Sequence, residues 1–174
     1  TLTHAPADES RIFNRAEAEA IAAAVAGASG PIAVTHQNKA QKPPSLMTLS
    51  RFQKLASRRF GWSADKTLEI AQSLYDKELT TYPRTPCALL PNEQEAEIPR
   101  VLSALGQVPG LARHVAELTV NKPTIRPTVF NSAKMEEKRE EHHAIIPTGE
   151  PLAGRNVSDD EQAAYLLIAQ HYLA

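Results

Sequence analysis

The chain has 174 residues, 42% of them apolar, and a formal net charge of −1, which allows one domain or one domain with a piece of another. Cys87 is the only cysteine, so an internal disulfide and a cysteine-based zinc cluster are excluded. No apolar run reaches membrane-spanning length and no signal peptide is recognisable, so we expect a cytoplasmic protein without membrane contact. The chain starts at Thr1 without methionine, and we expect it to be a fragment.

The first 45 residues are typical of a strand–helix–strand piece followed by a linker. Asn14 is placed to cap a helix, whose apolar residues share one face: Ala18, Ile21, Ala22 and Val25. Glycines follow, and Pro31–Thr35 then has the pattern of a short strand. Lys39–Ser45 is a basic, proline-containing linker. The piece has too few strands for its own sheet, so we place a domain boundary after residue 45.

Residues 46–174 are predicted to be mainly helical, beginning with two helices joined by Gly61 and Trp62. Ser50 and Gln53 form a capping box before the first helix, whose buried stripe is Phe52, Leu55, Ala56 and Phe60. Ser63 caps the second helix, whose predicted apolar face is Ala64, Leu68, Ala71 and Tyr75. The pair resembles a helix-turn-helix.

Prolines divide the remaining sequence into short elements. We expect helices near Pro99–Leu105 and Leu111–Leu118, one or two short strands within Pro123–Phe130, and a solvated charge run at Glu136–Glu141. A capping box of Ser158 and Glu161 opens a last helix, whose apolar face is Tyr165, Ile168 and Tyr172. The predicted fold class is therefore mainly α with short β segments (α+β).

The stretch that carries chemical information is Leu79–Thr85. Pro83 restricts Tyr82 to extended backbone, and residues two apart in an extended segment point to the same side. We therefore expect Tyr82 and Arg84 to project together. A phenol can attack a phosphodiester while a guanidinium clamps the phosphate and stabilises the developing charge. The alternative interpretation is a Tyr–Pro turn beside a surface arginine.

Basic residues are concentrated in the sequence that leads to Tyr82. Between positions 39 and 84 there are nine Lys or Arg against four Asp or Glu, and the basic positions are 39, 42, 51, 54, 58, 59, 66, 77 and 84. A local basic surface suits contacts with nucleic-acid phosphates. Any one of these basic residues could equally well be an ordinary solvent-exposed residue on a helix face. The candidate DNA contacts are Arg51, Lys54, Arg58, Arg59 and His143.

Three ordered stretches resemble type IA DNA topoisomerases, in particular the topoisomerase III branch. The central one is Gln72–Glu78 followed by Leu79–Thr85, which resembles the family's active-site segment. The upstream stretch is Lys42–Pro44 with Leu49–Ala56 and Arg58–Gly61, and the downstream stretch is His142–Thr148. The resemblance runs from about Phe13 to the C-terminus, and three motifs in order are far more specific than one.

The resemblance implies cleavage and rejoining of single-stranded DNA through a 5′-phosphotyrosine intermediate, with relaxation or decatenation as the outcome. It implies that Tyr82 is the nucleophile, that Arg84 binds the scissile phosphate and that His142 hydrogen-bonds a phosphate at the cleavage site; His143 is the alternative active histidine. Residues 1–45 would be part of the arch domain that frames the DNA gate. Residues 46–174 would be the helix-turn-helix-like active-site tyrosine domain.

Two departures from the family pattern are visible. Pro86 stands where the family usually has an acidic residue, which affects how Arg84 is oriented. In the family, a Toprim domain supplies a glutamate and an Asp-x-Asp pair that binds magnesium, and no Asp-x-Asp occurs here. We therefore expect Mg²⁺ only in the full-length enzyme, no metal in this chain, and inactivity of the isolated fragment without the remaining domains of the polypeptide.

Two other functions are consistent with parts of the sequence. A non-catalytic helix-turn-helix DNA-binding module would explain the basic stretch, but not the Tyr82–Arg84 motif or the histidine pair. A tyrosine recombinase also uses tyrosine, arginine and histidine, but its nucleophile follows the other two in the chain. Here Tyr82 precedes both Arg84 and His142.

Overall fold

The computed structural model describes residues 12–27, 29, 35–38, 43–121, 129–138 and 141–174, except for the side chains of residues 120 and 121. Contacts divide the chain into two compact units, Thr1–Gln41 and Lys42–Ala174. The division falls inside the predicted Lys39–Ser45 linker. The assignment of these parts to an arch domain and an active-site domain stays a prediction.

The described part of the first unit contains one helix, α1, at Arg15–Val25. The side chain of Asn14 accepts a hydrogen bond from the Ala16 amide at 3.0 Å, as predicted for its N-cap. No residue of α1 is buried, and the side chains of Phe13 and Val25 are 82% and 49% exposed. The predicted strand at Pro31–Thr35 lies almost entirely outside the described residues.

The second unit is built from helices. They are α2 (Leu49–Phe60), α3 (Ala64–Asp76), a 3₁₀ helix (Asn92–Glu97), α4 (Ile98–Leu105), α5 (Ala112–Asn121), α6 (Ser132–Glu137) and α7 (Asp159–Leu173). Helix α3 packs against both α2 and α7, and α4 packs against α5. The described part of the chain is therefore mainly helical, as predicted.

Extended segments in the described residues pair only through isolated bridges. Met47 with Ile145 and Thr80 with Pro147 form antiparallel bridges, and Leu90 with Phe130 forms a parallel one. The short strands of the α+β prediction do not appear among the described residues. Most of the predicted 123–130 strand lies outside them.

The start of α2 differs from its prediction. Thr48 has extended backbone angles, and its hydroxyl accepts a hydrogen bond from the Arg51 amide at 3.2 Å, so Thr48 is the N-cap. Ser50 lies inside the first turn and the capping box predicted with Gln53 is wrong, because a hydroxyl residue two positions earlier already fills that role. The predicted end is correct: Gly61 adopts the left-handed conformation, with φ 72°.

Helix α3 is capped by Ser63 as predicted, but its buried face was assigned wrongly. The buried residues are Thr67, Ile70, Ala71 and Leu74. Only Ala71 was predicted, because buried Thr67 carries a hydroxyl and breaks the apolar pattern. That hydroxyl donates to the Ser63 carbonyl at 2.8 Å, which satisfies it inside the core. Tyr75 consequently lies off the core face.

The main apolar core lies among α2, α3 and α7, with contributions from α4 and α5. Tyr165 and Ile168 are fully buried and Tyr172 is half-buried, which confirms the apolar face predicted for α7. The Ser158–Glu161 capping box is also confirmed. A smaller cluster of Leu46, Leu90, Ala144 and Ile146 lies beside the segment that precedes α2.

Candidate active site around Tyr82

The backbone before Tyr82 is held by the segment 144–148. The Thr81 amide donates to the Ile146 carbonyl at 3.0 Å, and the Ile146 amide donates to the Thr81 hydroxyl at 3.0 Å. The same hydroxyl donates to the Ala144 carbonyl at 2.9 Å. Thr81 therefore joins the two segments through both its backbone and its side chain.

The backbone after Tyr82 is held by Thr85, which is 2% exposed. Its hydroxyl donates to the His142 carbonyl at 3.1 Å and accepts from the Cys87 amide at 3.0 Å. Its carbonyl accepts from the Leu49 amide at 3.1 Å, at the first residue of α2. Thr85 thus brings His142, almost sixty residues away in sequence, to the Tyr82 segment.

The ring of Tyr82 contacts two other rings. The centroid of the His142 ring is 4.3 Å away with an interplanar angle of 42°, and that of Tyr75 is 5.6 Å away at 81°. Tyr82 is half-buried, while His142 is exposed. The groove at Tyr82 is lined by Tyr75, Asp76, Glu78, Thr80, Thr81 and Thr148. Two of the three predicted catalytic side chains are therefore in contact.

Arg84 lies in an adjoining groove. That groove is lined by Asp65, Leu68, Glu69, Gln72, Ser73 and Asp76, and Asp76 also lines the groove of Tyr82. The Arg84 side chain is exposed and makes no hydrogen bond or ion pair within the described part of the chain. Its positive charge is therefore available to an anion that spans the two grooves. Pro86, two residues further along the chain, is exposed and offers no amide donor.

His143 differs from its neighbour His142. It is half-buried, and its Nδ1 lies 2.9 Å from the Ala144 carbonyl oxygen. Burial lowers the pKa of His143; the hydrogen bond to Ala144 opposes this shift and the charge of His142 adds to it. His143 is consequently neutral at pH 7. The ring that faces Tyr82 belongs to His142.

Comparison with known proteins identifies the family. A family described as DNA topoisomerase has a model that matches residues 2–174. The chain belongs to this family. DNA topoisomerase 3 of Bacillus licheniformis is 36% identical over 170 residues, which are 95% of this chain and 22% of that protein. The DNA topoisomerases 3 of Vibrio cholerae and Salmonella typhimurium are 32% and 34% identical, each over 95% of this chain and 25% of theirs.

The resemblance to type IA DNA topoisomerases of the topoisomerase III branch is thereby confirmed. The chain spans about a quarter of the length of these relatives. The described residues of this chain include the side chains that surround Tyr82. The relatives have further residues that this chain does not cover.

A basic surface of the topoisomerase chain lies between α2 and α7. Arg58 and Arg59 line a groove together with Gln170 and His171, and the Arg59 guanidinium donates to Gln170 Oε1 at 3.1 Å. Lys54 is exposed and Arg51 is half-buried. The pKa of His171 is lowered by burial and by the positive charge of Arg51. The predicted basic positions 39 and 42 lie outside the described residues.

Glu161 fixes the end of α3 that leads to Tyr82. Its carboxylate accepts hydrogen bonds from Lys77 Nζ at 2.6 and 2.7 Å, from the Ser73 hydroxyl, and from the Ser158 amide at 2.7 Å. Burial by itself would raise the pKa of Glu161, but the hydrogen bonds from Lys77, Ser73 and Ser158 outweigh it and lower the pKa to about 2. The sequence indicated Glu161 only as a capping residue, because a pairing across 84 positions has no local pattern.

No metal site is formed by the residues that the structure describes. Among them, no group of three or more histidine, cysteine, aspartate or glutamate side chains could hold an ion. The carboxylates of Asp65, Glu69 and Asp76, which line the groove beside Arg84, form no such group. In the same described residues, no helix has both the length and the apolar character needed to span a bilayer.

Proposed function

We propose that this chain carries the nucleophile of a type IA DNA topoisomerase that cleaves and rejoins single-stranded DNA. The observation that carries the proposal is the contact between the Tyr82 and His142 rings, 4.3 Å apart, on two segments pinned to each other by Thr81 and Thr85. Arg84 supplies a cation without a protein partner among the described residues in the adjoining groove.

The reaction is a transesterification at phosphorus. The Tyr82 phenol oxygen loses its proton and forms a bond to the scissile phosphorus, while the bond from phosphorus to the 3′ oxygen breaks. The 3′ oxygen takes up a proton and leaves as a hydroxyl, so that the 5′-phosphate remains on the tyrosine. Rejoining reverses each step, and one phosphoester replaces another throughout.

Arg84 and His142 have electrostatic roles in this proposal. The Arg84 guanidinium pairs with the scissile phosphate and stabilises the charge that grows on its oxygens during attack. His142 donates a hydrogen bond to the same phosphate from the side of the Tyr82 ring. Both side chains are exposed, so DNA can reach them without a rearrangement of the core.

The rest of the enzyme extends this chemistry. Single-stranded DNA runs over the basic surface of α2, where Arg51, Lys54, Arg58 and Arg59 contact phosphates. The described residues form no site for magnesium; in the complete enzyme a Toprim domain would hold the ion, which would add charge stabilisation at the scissile phosphate. The complete protein relaxes or decatenates bacterial nucleoid or plasmid DNA in the cytoplasm.

A non-catalytic DNA-binding module is the second candidate. The capped pair α2 and α3, joined at Gly61 and Trp62 and carrying basic side chains, favours it. A DNA-binding role alone does not explain the contact between the Tyr82 and His142 rings.

Trapping of a covalent adduct separates the two functions. The complete polypeptide is incubated with a labelled single-stranded oligonucleotide and Mg²⁺, then denatured with detergent. We expect labelled protein from the unaltered enzyme and none from Tyr82→Phe, with DNA affinity preserved within about twofold, since a hydroxyl is removed and no cation is lost. Tyr172→Phe is the matched control: it removes the hydroxyl of another half-buried tyrosine and retains the adduct. Adduct formation by Tyr82→Phe would contradict the proposed function.

A further inference from the structure

Tyr75 occupies an unusual place on α3. The core face of that helix is filled by Thr67, Ile70, Ala71 and Leu74, so Tyr75 is not needed to fill the core. Its side chain is 40% exposed, among the most exposed large apolar side chains in the described residues. The described contact of its ring is with Tyr82, at 5.6 Å and nearly perpendicular.

The backbone under Tyr75 is held in place. Ser73, two residues before it, and Lys77, two residues after it, both bind the buried carboxylate of Glu161 at the start of α7. The Tyr75 carbonyl accepts from the Glu78 amide at 2.8 Å, which closes the turn after α3. The ring therefore projects from an anchored turn of the helix, one that ends six residues before Tyr82.

The Tyr82 side chain needs such a support. The hydrogen bonds of Thr81 and Thr85 hold the backbone on either side, but they leave the rotations about Cα–Cβ and Cβ–Cγ of Tyr82 unrestrained. The His142 ring lies on an exposed segment and makes no side-chain hydrogen bond within the described part of the chain. Of the two rings beside Tyr82, the one on a fixed helix is Tyr75.

We propose that Tyr75 is a positioning residue for the nucleophile: its ring forms a fixed wall that holds the Tyr82 ring in one orientation for attack on the DNA phosphate. The proposal rests on the proposed function. The aromatic ring does this, not its hydroxyl, because perpendicular packing depends on the ring's shape and charge distribution. Tyr75 itself touches no reacting atom.

Three substitutions test the ring. In the complete polypeptide, Tyr75→Phe keeps the ring, Tyr75→Leu keeps apolar volume without it, and Tyr75→Ala removes both. The single-turnover rate of adduct formation is measured at saturating single-stranded oligonucleotide, together with Kd for the same oligonucleotide and Tm. We expect Tyr75→Phe to stay within about twofold of the unaltered enzyme, and Tyr75→Leu and Tyr75→Ala to lose roughly three- to tenfold in rate. Kd and Tm should change little, since the side chain is partly exposed and uncharged.

Each other outcome contradicts the inference. An unchanged rate in Tyr75→Leu shows that the wall is not needed. An equal loss in Tyr75→Phe assigns the effect to the hydroxyl, and a loss matched by a weaker Kd or a lower Tm assigns it to binding or folding. If Tyr75→Ala fails to fold, Tyr75→Leu decides. Tyr82→Phe is measured alongside: an adduct there refutes the proposed function, whereas its absence with full activity in Tyr75→Leu refutes this inference alone.

Discussion

Tyr82, the proposed nucleophile, is restrained by side chains that differ in kind. The hydroxyls of half-buried Thr81 and buried Thr85 fix the backbone, and the rings of Tyr75 and His142 contact the Tyr82 ring. Hydrogen bonds made by half-buried groups in fixed geometry hold a catalytic group more firmly than exposed contacts do. The two adjacent histidines have separate environments, which allows their roles to be distinguished.

His142→Ala should lower the rate of adduct formation at saturating DNA by about tenfold or more, because it removes the proposed donor to the scissile phosphate. His143→Ala should change the rate less and lower Tm instead, because the half-buried, neutral ring of His143 is bonded to the Ala144 carbonyl. Single-turnover rates and melting curves of both variants check this. The reverse pattern would assign the active role to His143.

Glu161 should make stability depend on pH. Its pKa is lowered to about 2, below its value in an unfolded chain, so its contribution is fully present above about pH 4.5 and is lost as the pH falls towards 2. Glu161→Gln should therefore lower the free energy of unfolding at pH 7 by roughly 2–3 kcal/mol. Denaturant unfolding of the purified chain between pH 3 and 7 measures this. Glu95→Gln, at an exposed carboxylate, is the control. A difference that does not shrink below pH 4.5 would contradict the assignment.

At the scale of elements, helices α2 and α3 precede the Tyr82 segment in the chain, and the segment 144–148 is hydrogen-bonded to it. The elements with local signals were predictable: Ser63 and Ser158 cap helices, and Gly61 ends one, as their residue types indicate. The start of α2 was placed two residues late, since Ser50 with Gln53 fits the same capping pattern as the true cap.

Features that depend on long-range contacts could not be read from the sequence. The core face of α3 could not be recognised from the hydrophobic pattern, because it includes Thr67. A threonine counts as polar in such a pattern, although here its hydroxyl is hydrogen-bonded to the Ser63 carbonyl. The threonine bonds to 142–146 and the Glu161–Lys77 pair join positions more than fifty residues apart. The motif indicated Tyr82 and His142 as candidates; only the fold shows their rings in contact.

Helix α1 should exchange its amide hydrogens faster than α3. It has no buried residue, whereas α3 buries four, and local opening costs less where little apolar surface is lost. Hydrogen–deuterium exchange of the purified 174-residue chain, followed by peptide mass spectrometry, compares the two helices under the same conditions. Protection of α1 equal to that of α3 would show that it packs into a stable core.

At the scale of the whole molecule, the chain is about a quarter as long as the topoisomerase 3 relatives it matches. We expect the purified 174-residue chain not to relax supercoiled plasmid in the presence of Mg²⁺, because its described residues form no metal site and strand passage needs a gate. The complete polypeptide in the same gel assay is the positive control. Magnesium-dependent relaxation by the short chain that disappears in Tyr82→Phe would overturn this expectation.

The central claim is that Tyr82 becomes joined to a DNA 5′-phosphate, and peptide mapping of the adduct tests it most directly. The complete polypeptide is trapped on a single-stranded oligonucleotide labelled at its 3′ end, and the label on the denatured protein is measured. The adduct is then digested with nuclease and trypsin and analysed by mass spectrometry. Trypsin cuts after Lys77 and Arg84, so Tyr82 lies in the peptide Glu78–Arg84 as its only tyrosine. We predict that the 3′ label stays with the protein and that this peptide carries the nucleotide through Tyr82. A nucleotide on any other peptide, or protein joined to the other side of the break, would contradict it.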